Sequence, residues 1–347
     1  MKAIRTLAVA LAAAAALPAT ALAQEVVLKF SHFLPPQAMV PSRLITPWCE
    51  RIEQESKGRM KCQIYPAMQL GGNATQVFDQ VRDGIADVGW AVLGYSPGRF
   101  TALDVFELPF MGTSAEAHSR ALWNYAQEHA SKELASVKPL MLFSSDRFAI
   151  HSRDKAVQKL EDLQGLKIRA GLKTTTRFFE LLGATPVSIP LPGMLDGMTK
   201  GVIDAGFATW ESAIALRVHE AAKHHTDGEA SYPAMHMSNL AIVMNRARYD
   251  RLPADLKKII DANSGEEMSS HAGRLFDETA AGARKVAEER GNRFHSLPAT
   301  ELDRWKKASQ PVFDEWTREA NGKGYDGAKL LQAARAAVDA AAAKARP

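Results

Sequence analysis

A seven-residue phrase occurs twice in the chain, 117 positions apart, and it limits the fold more than any other feature. Gly84-Ile85-Ala86-Asp87-Val88-Gly89-Trp90 returns as Gly201-Val202-Ile203-Asp204-Ala205-Gly206-Phe207. Each copy follows a helix-like stretch, and its first glycine suits a helix stop. The residues after the aspartate read as a short strand that ends in an aromatic. Strands alternating with helices indicate α/β organisation. The repeat therefore points to two similar α/β lobes, each presenting an aromatic to one cleft. A chance match of small residues is the competing explanation. Asp87 and Asp204 hold the same place in both copies, which fits structural hydrogen bonding in a turn better than a catalytic carboxylate pair.

The first residues set the compartment. Lys2 and Arg5 open the chain, Leu7 to Leu17 is an apolar run, and Ala21-Leu22-Ala23 is a small-x-small site before Gln24. This is the order of a secretory leader, and the run is too short to span a bilayer. An uncleaved anchor is the alternative. No cysteine sits near Ala23 to carry a lipid, so a periplasmic protein cleaved after Ala23 is expected. The formal charge of +4 is too mild to imply nucleic acid or an anionic membrane.

Two cysteines carry information in an oxidising compartment. A helix leaving Cys49 covers roughly 12 Å before the turn Ser56-Lys57-Gly58, and a strand returning to Cys62 covers roughly 13 Å. The sulfurs can therefore meet, and a Cys49–Cys62 disulfide is expected. Two buried thiols are the alternative; no base partner marks either cysteine as catalytic.

Strands are expected at Val26–Phe30, Lys61–Tyr65, Asp87–Val92, across Leu140–Ile150, at Leu166–Ala170, Ala184–Ile189 and Leu240–Met244. The last of these should cross back to the first lobe. Pro41 and Pro47 predict a broken or kinked start to the first helix, whose face is Leu44, Trp48 and Ile52. Further helices follow from Val77-Phe78-Val81, from a capping box at Thr113-x-x-Glu116, from Thr174–Leu182 and from about Gly193 to Lys200. After Pro253 the pattern is nearly all helix, with a long run to about Glu289 and an alanine-rich end, Lys329 to Arg346. The expected division is a leader at 1–23, a first lobe at 24–146 with about 235–255 returning to it, a second lobe at 147–234, and a helical segment at 256–347 bracing both.

Arg169 is the principal candidate for chemistry. It ends a strand, before Gly171 and a helix opening at Thr174-Thr175-Thr176. Ligands of open α/β sheets bind beyond the carboxyl ends of strands, and a helix start offers free N–H groups to an anion. A guanidinium adds a planar fork matched to a carboxylate. A surface arginine on an edge strand is the alternative. His32, Phe33, Trp90, Leu191, Phe207, Ala208 and Trp210 are candidate walls of the same cleft, and Arg147 a second positive group. His224-His225 point to opposite faces of a strand, which argues against a metal site. No catalytic motif or cofactor loop is found, so a binding protein without cofactor is expected, as a monomer. A secreted enzyme is the minor alternative.

Several phrases in order resemble the DctP-type solute-binding receptors of tripartite ATP-independent periplasmic (TRAP) transporters. They are Gln69-Leu70-Gly71-Gly72, Gly84-Ile85-Ala86-Asp87, Glu107-Leu108-Pro109-Phe110, Gly165-Leu166-Lys167-Ile168-Arg169, Leu182-Gly183-Ala184-Thr185-Pro186-Val187, Gly201-Val202-Ile203-Asp204 and Leu252-Pro253-Ala254-Asp255-Leu256. The resemblance implies a two-lobed periplasmic-binding-protein-like α/β fold with hinge, central cleft and long C-terminal bracing helices. It implies an organic acid held by Arg169, with Arg147 as the second arginine, and delivery to an integral membrane permease. Service to an ATP-driven importer or a sensor kinase is the alternative. Ala205, Phe207, Ala208, Trp210 and Gly193-Met194-Leu195 depart from the family pattern towards a less polar wall. That favours a monocarboxylate with an apolar or aromatic body, or a short oxo or hydroxy acid, over a sugar acid.

Overall fold

The computed structural model describes residues 26–344. The leader, its cleavage site and positions 345–347 lie outside the described residues. Eleven strands form two sheets among these residues. The first sheet has the order β2-β1-β3-β10-β4, built from β1 (Val26–Ser31), β2 (Met60–Tyr65), β3 (Val88–Val92), β4 (Val137–Ser144) and β10 (Asn239–Asn245). The second has the order β11-β9-β5-β8-β6-β7. Its strands are β5 (Phe148–Ser152), β6 (Lys167–Arg169), β7 (Thr185–Val187), β8 (Ala205–Thr209), β9 (His224–Gly228) and β11 (Arg293–Leu297).

The two sheets share one plan. β2, β1 and β3 run parallel, and β10 lies antiparallel to β3. In the second sheet β7, β6 and β8 run parallel, and β5 lies antiparallel to β8. The chain passes from the first sheet to the second between β4 and β5 and returns through β10, whose strand is buried along its whole length. A strand buried on both faces reads as a continuous apolar run, which Leu240–Met244 supplies.

The repeated phrase marks equivalent corners of the two sheets. Gly84 and Gly201 stop their helices at positive φ, +79° and +71°, where an L side chain would be strained. Asp87 exchanges two hydrogen bonds with Lys29 of β1: its N–H donates to the Lys29 carbonyl and its carboxylate accepts from the Lys29 N–H, both at 2.9 Å. Asp204 repeats this on Lys167 of β6, at 2.7 and 3.2 Å. The aspartates therefore tie parallel strands together. Next, Gly89 and Gly206 leave room for the preceding helix: a Cβ would overlap Val81 and Val77 at the first and Met194 at the second.

Local details depart from the sequence expectations in two places. The helix over Ala115–His129 is capped by Ser114, not Thr113, and its first N–H groups are closed by Asp277, which accepts from Ala115 N at 2.9 Å and Glu116 N at 3.0 Å. The C-terminal block is not all helix, because β11 follows the helix stop at Gly291 and pairs parallel with β9. The irregular start expected of the first helix is present as a π-helical turn, Val40–Ile45, that runs directly into Thr46–Glu55. Cys49 and Cys62 are bonded, with Cα atoms 5.6 Å apart.

The long helix Glu266–Glu289 braces both halves. It packs on the helix Ala115–His129 and β4 of the first lobe and on the helix Trp210–Ala215 of the second. Arg284 anchors its far end to Asp227 of β9 at 2.6 Å. The alanine-rich helix Gly327–Lys344 packs on the first lobe through Leu330, Ala334, Val338 and Ala341.

A buried carboxyl pair makes the fold pH-sensitive. Burial, with the nearby Asp104 carboxyl, pushes Glu107 up to about 8. Burial, with Glu133, pushes Asp104 up to about 7. Unfolded carboxyls titrate near 4, so the folded chain binds these protons more tightly. Their contribution to stability is complete below about pH 4 and is lost as pH rises through about 7 and about 8. Glu107→Gln should therefore lose less melting temperature than the wild type between pH 6 and 9, by a few degrees (about 2–4 °C per kcal/mol in a large domain). Parallel curves for the two proteins in thermal denaturation across that range would contradict this. The difference between them cancels the buried histidines, which both share.

Candidate functional site

Between the sheets lies a small, closed-down cavity, with about 40 Å³ open to the centre of a water-sized sphere. Phe33, Trp90, Val92 and Tyr95 line it from the first lobe, and Phe148, Leu172 and Leu191 from the second. Leu240 of the returning strand and Phe276 of the bracing helix complete the apolar wall. Phe33 and Trp90 stack at 4.5 Å between centroids.

Arg169 is the cation of this cavity. It is the last residue of β6 and pairs in register with Gly206, as Ser31 of β1 pairs with Gly89. Only 3% of it is exposed. Its side chain is fixed by the backbone: Nε–H donates to the Ile189 carbonyl at 2.8 Å and Nη1–H to the Phe207 carbonyl at 2.9 Å. Nη2–H reaches the Tyr95 hydroxyl at 3.3 Å. Gly171 makes this possible, because a Cβ there would overlap the guanidinium. Burial pushes the group down from its ordinary value, yet an arginine stays charged in proteins. Among the described residues none of its partners is a carboxylate. A guanidinium has five N–H donors, so two remain for an incoming anion.

The serine and threonine hydroxyls of the cavity are engaged within the protein. Thr175 Oγ donates to the Leu172 carbonyl, Ser145 Oγ to that of Asp146, and Thr209 Oγ to Ser212. Glu211 closes one wall. Its carboxyl accepts from Met39 N of the first lobe and from Ser212 Oγ, both at 3.1 Å, and burial pushes its pKa up. Trp90 Nε1 is buried and has no protein acceptor among the described residues.

Of the residues singled out from the sequence, Arg169, Phe33, Trp90 and Leu191 line this cavity, and five others do not. His32 is fully buried beside it, and burial holds its ring down at about 4, a neutral imidazole. The Phe207 ring lies two residues deeper in β8 than Thr209, packed on Phe148 and Phe179. The Ala208 carbonyl sits 3.2 Å from His151 Nε2 inside the second lobe. Trp210 packs on His151, His225 and Phe294, because the helix that starts there turns it away. Arg147 points into the Gly228–Tyr232 segment and donates to the carbonyls of Tyr232 at 2.6 Å and Glu229 at 3.0 Å. The apolar wall thus comes from Phe148, Leu172, Leu240 and Phe276 rather than from Phe207, Ala208 and Trp210. Of the adjacent histidines, His225 is buried against His151 and His224 stacks on His295.

The site makes one local prediction. Gly171→Ala should displace the Arg169 guanidinium, because the added Cβ would overlap it. A crystal structure of the variant checks this; an unmoved Arg169 side chain would show that the site tolerates the Cβ.

Residues 30–319 match the family described as bacterial extracellular solute-binding protein, family 7. A TRAP solute-binding protein from Rhodoferax ferrireducens, solved with copurified benzoate, is 38% identical, with a TM-score of 0.91 over 92% of this chain and 100% of that one. A marine metagenome TRAP solute-binding protein specific for aromatic acid ligands, solved with 3-hydroxybenzoate, is 40% identical, with a TM-score of 0.89 over 91% and 98%. One from Bordetella bronchiseptica, with bound (R)- and (S)-mandelate, is 28% identical, with a TM-score of 0.83 over 90% and 99%. With the family match spanning both sheets and most of the helical block, the chain belongs to the DctP family of TRAP-transporter solute-binding proteins.

Proposed function

We propose that this protein captures an aromatic monocarboxylate in the periplasm, after cleavage of its leader behind Ala23, and delivers it to a TRAP-type membrane permease. The observation that carries this reading is a buried guanidinium with two free donors and no carboxylate partner, set in an apolar inter-lobe cavity. Arg169 holds the carboxylate, and Phe33, Trp90, Phe148 and Leu191 enclose the ring. A second carboxylate or a run of sugar hydroxyls finds few partners, since the serine and threonine hydroxyls of the wall already bond within the protein. Aromatic acids are also the bound molecules of the relatives solved with benzoate, 3-hydroxybenzoate and mandelate. The lobes close on the acid by the hinge motion known for periplasmic binding proteins, and the closed form docks on the permease as a monomer.

A thermal-shift panel tests this. Benzoate, 3-hydroxybenzoate and mandelate should raise the melting temperature more than malonate or a sugar acid at equal concentration. Greater stabilisation by the dicarboxylate or the sugar acid would overturn the aromatic assignment.

A further inference from the structure

We infer that Tyr95 is a second ligand-binding residue, which donates its phenolic proton to the same carboxylate that Arg169 holds and so makes the anion seat span both lobes. The inference rests on the proposed role of Arg169 and adds to it a partner from the opposite side of the cleft.

Tyr95 ends the turn Leu93–Tyr95 that follows β3 in the first lobe. Its hydroxyl oxygen accepts from two groups of the second lobe: Leu191 N–H at 2.9 Å and Arg169 Nη2–H at 3.3 Å. A phenolic oxygen has two lone pairs and one proton. Both lone pairs are taken, and no acceptor for the proton is found among the described residues. Tyr95 is half-buried and lines the inter-lobe cavity, so a ligand group that enters there can accept this proton. Arg169 lines the same cavity and has two donors without a protein partner among the described residues. A carboxylate is the ligand group with oxygens enough to accept from both residues at once.

The turn is also held in place. A Cβ at Gly94 would overlap the Glu107 carboxyl, which itself accepts from Asn239 N at 2.9 Å on the returning strand. Glycine at 94 thus lets the turn sit against β10 and carry the phenol to the inter-lobe seam.

The consequence is a link between binding and closure. A ligand shifts an equilibrium only by its differential affinity for the two states. Arg169 belongs to one lobe, so by itself it holds an anion in open and closed forms alike. Tyr95 reaches that anion only when the lobes meet. The phenol therefore supplies the part of the affinity that favours the closed form. It also selects against a neutral amide, whose N–H groups would confront a row of donors.

The test compares three variants by titration calorimetry with benzoate. Tyr95→Phe keeps the ring and removes the proton, and should weaken binding about 10- to 100-fold, the value of one charge-assisted hydrogen bond. Incorporation of 3,5-difluorotyrosine at position 95, whose phenol ionises more readily, should bind at least as tightly as wild type at pH 6. It should then lose affinity relative to wild type as pH rises to 8, because a phenolate repels the carboxylate. Wild-type affinity in Tyr95→Phe, or no pH dependence in the fluorinated protein, would overturn the inference; the second result would leave Tyr95 as a residue that merely positions Leu191 and Arg169. Arg169→Ala separates the two levels. If it loses benzoate while Tyr95→Phe does not, only the present inference fails; if it binds as wild type does, the seat itself lies elsewhere.

Discussion

Arg169→Ala is expected to weaken benzoate binding by roughly two to four orders of magnitude. Two charge-assisted hydrogen bonds are lost, each worth about 1.5–3 kcal/mol, and every 1.4 kcal/mol is tenfold in affinity. The carboxylate would also enter an apolar cavity without a countercharge, which burial makes costly. The effect on the unliganded fold is a smaller balance of opposing terms. Removing a desolvated charge helps, whereas the carbonyls of Ile189 and Phe207 lose their donors. Arg169→Lys sharpens the reading. It keeps the charge but not the fork, so it should fall between wild type and alanine. Equal affinity in lysine and wild type would show that charge alone suffices and that the planar geometry is unused. Calorimetric titration of the three proteins with benzoate provides all of these comparisons.

The second large effect concerns the brace. Gly273→Ala should destabilise the protein by about 1–3 kcal/mol, although it lies in the interior of a helix. Helix propensity alone predicts the opposite sign, a gain of about 1 kcal/mol for alanine over glycine. Packing decides the matter. At Gly273 the helix Glu266–Glu289 crosses Ala115–His129, and a Cβ would overlap the Ala115 carbonyl and Ser119 Oγ. That carbonyl is backbone and cannot rotate away, and Ser119 Oγ is committed, donating to it and accepting from Ser144 N at 2.8 Å. The helices must separate, which strains a close-packed region at a cost of about 1–3 kcal/mol and occasionally more. Separation also pulls Asp277 off the N-terminus that it caps, with about 1 kcal/mol for the lost cap. Chemical denaturation of the two proteins measures this, and a midpoint equal to or above that of wild type would show that the crossing relaxes freely.

Both cases show which features are readable along the chain and which are not. The two-lobed plan was legible because the Gly-Ile-Ala-Asp and Gly-Val-Ile-Asp corners depend on local chemistry. Each is a glycine helix stop followed by an aspartate that pins the neighbouring strand. Arg169 was legible for the same reason: a strand end, a glycine two residues on, and a helix start. The return strand Leu240–Met244 announced itself as an uninterrupted apolar run.

The rest of the cavity depends on tertiary contacts. Tyr95 and Phe276 come from a turn and a helix that meet only after both lobes have folded, and neither carries a local signal. Arg147 looked equivalent to Arg169 in charge and in closeness to a strand. Its fate is set by the carbonyls of Glu229 and Tyr232, more than 80 positions later. Phe207 and Trp210 flank the right strand end, but the aromatic residues around them claim both rings for the second lobe's core. β11 was missed because five residues after a long helix carry too little alternation to stand out.

A crystal structure of the protein with benzoate tests the central proposal most directly. The expected result is a closed cleft in which the carboxylate oxygens lie about 2.7–2.9 Å from the Arg169 nitrogens, with the ring between Trp90 and the second lobe. A carboxylate bound at Arg147, or anywhere outside the space between the lobes, would contradict it.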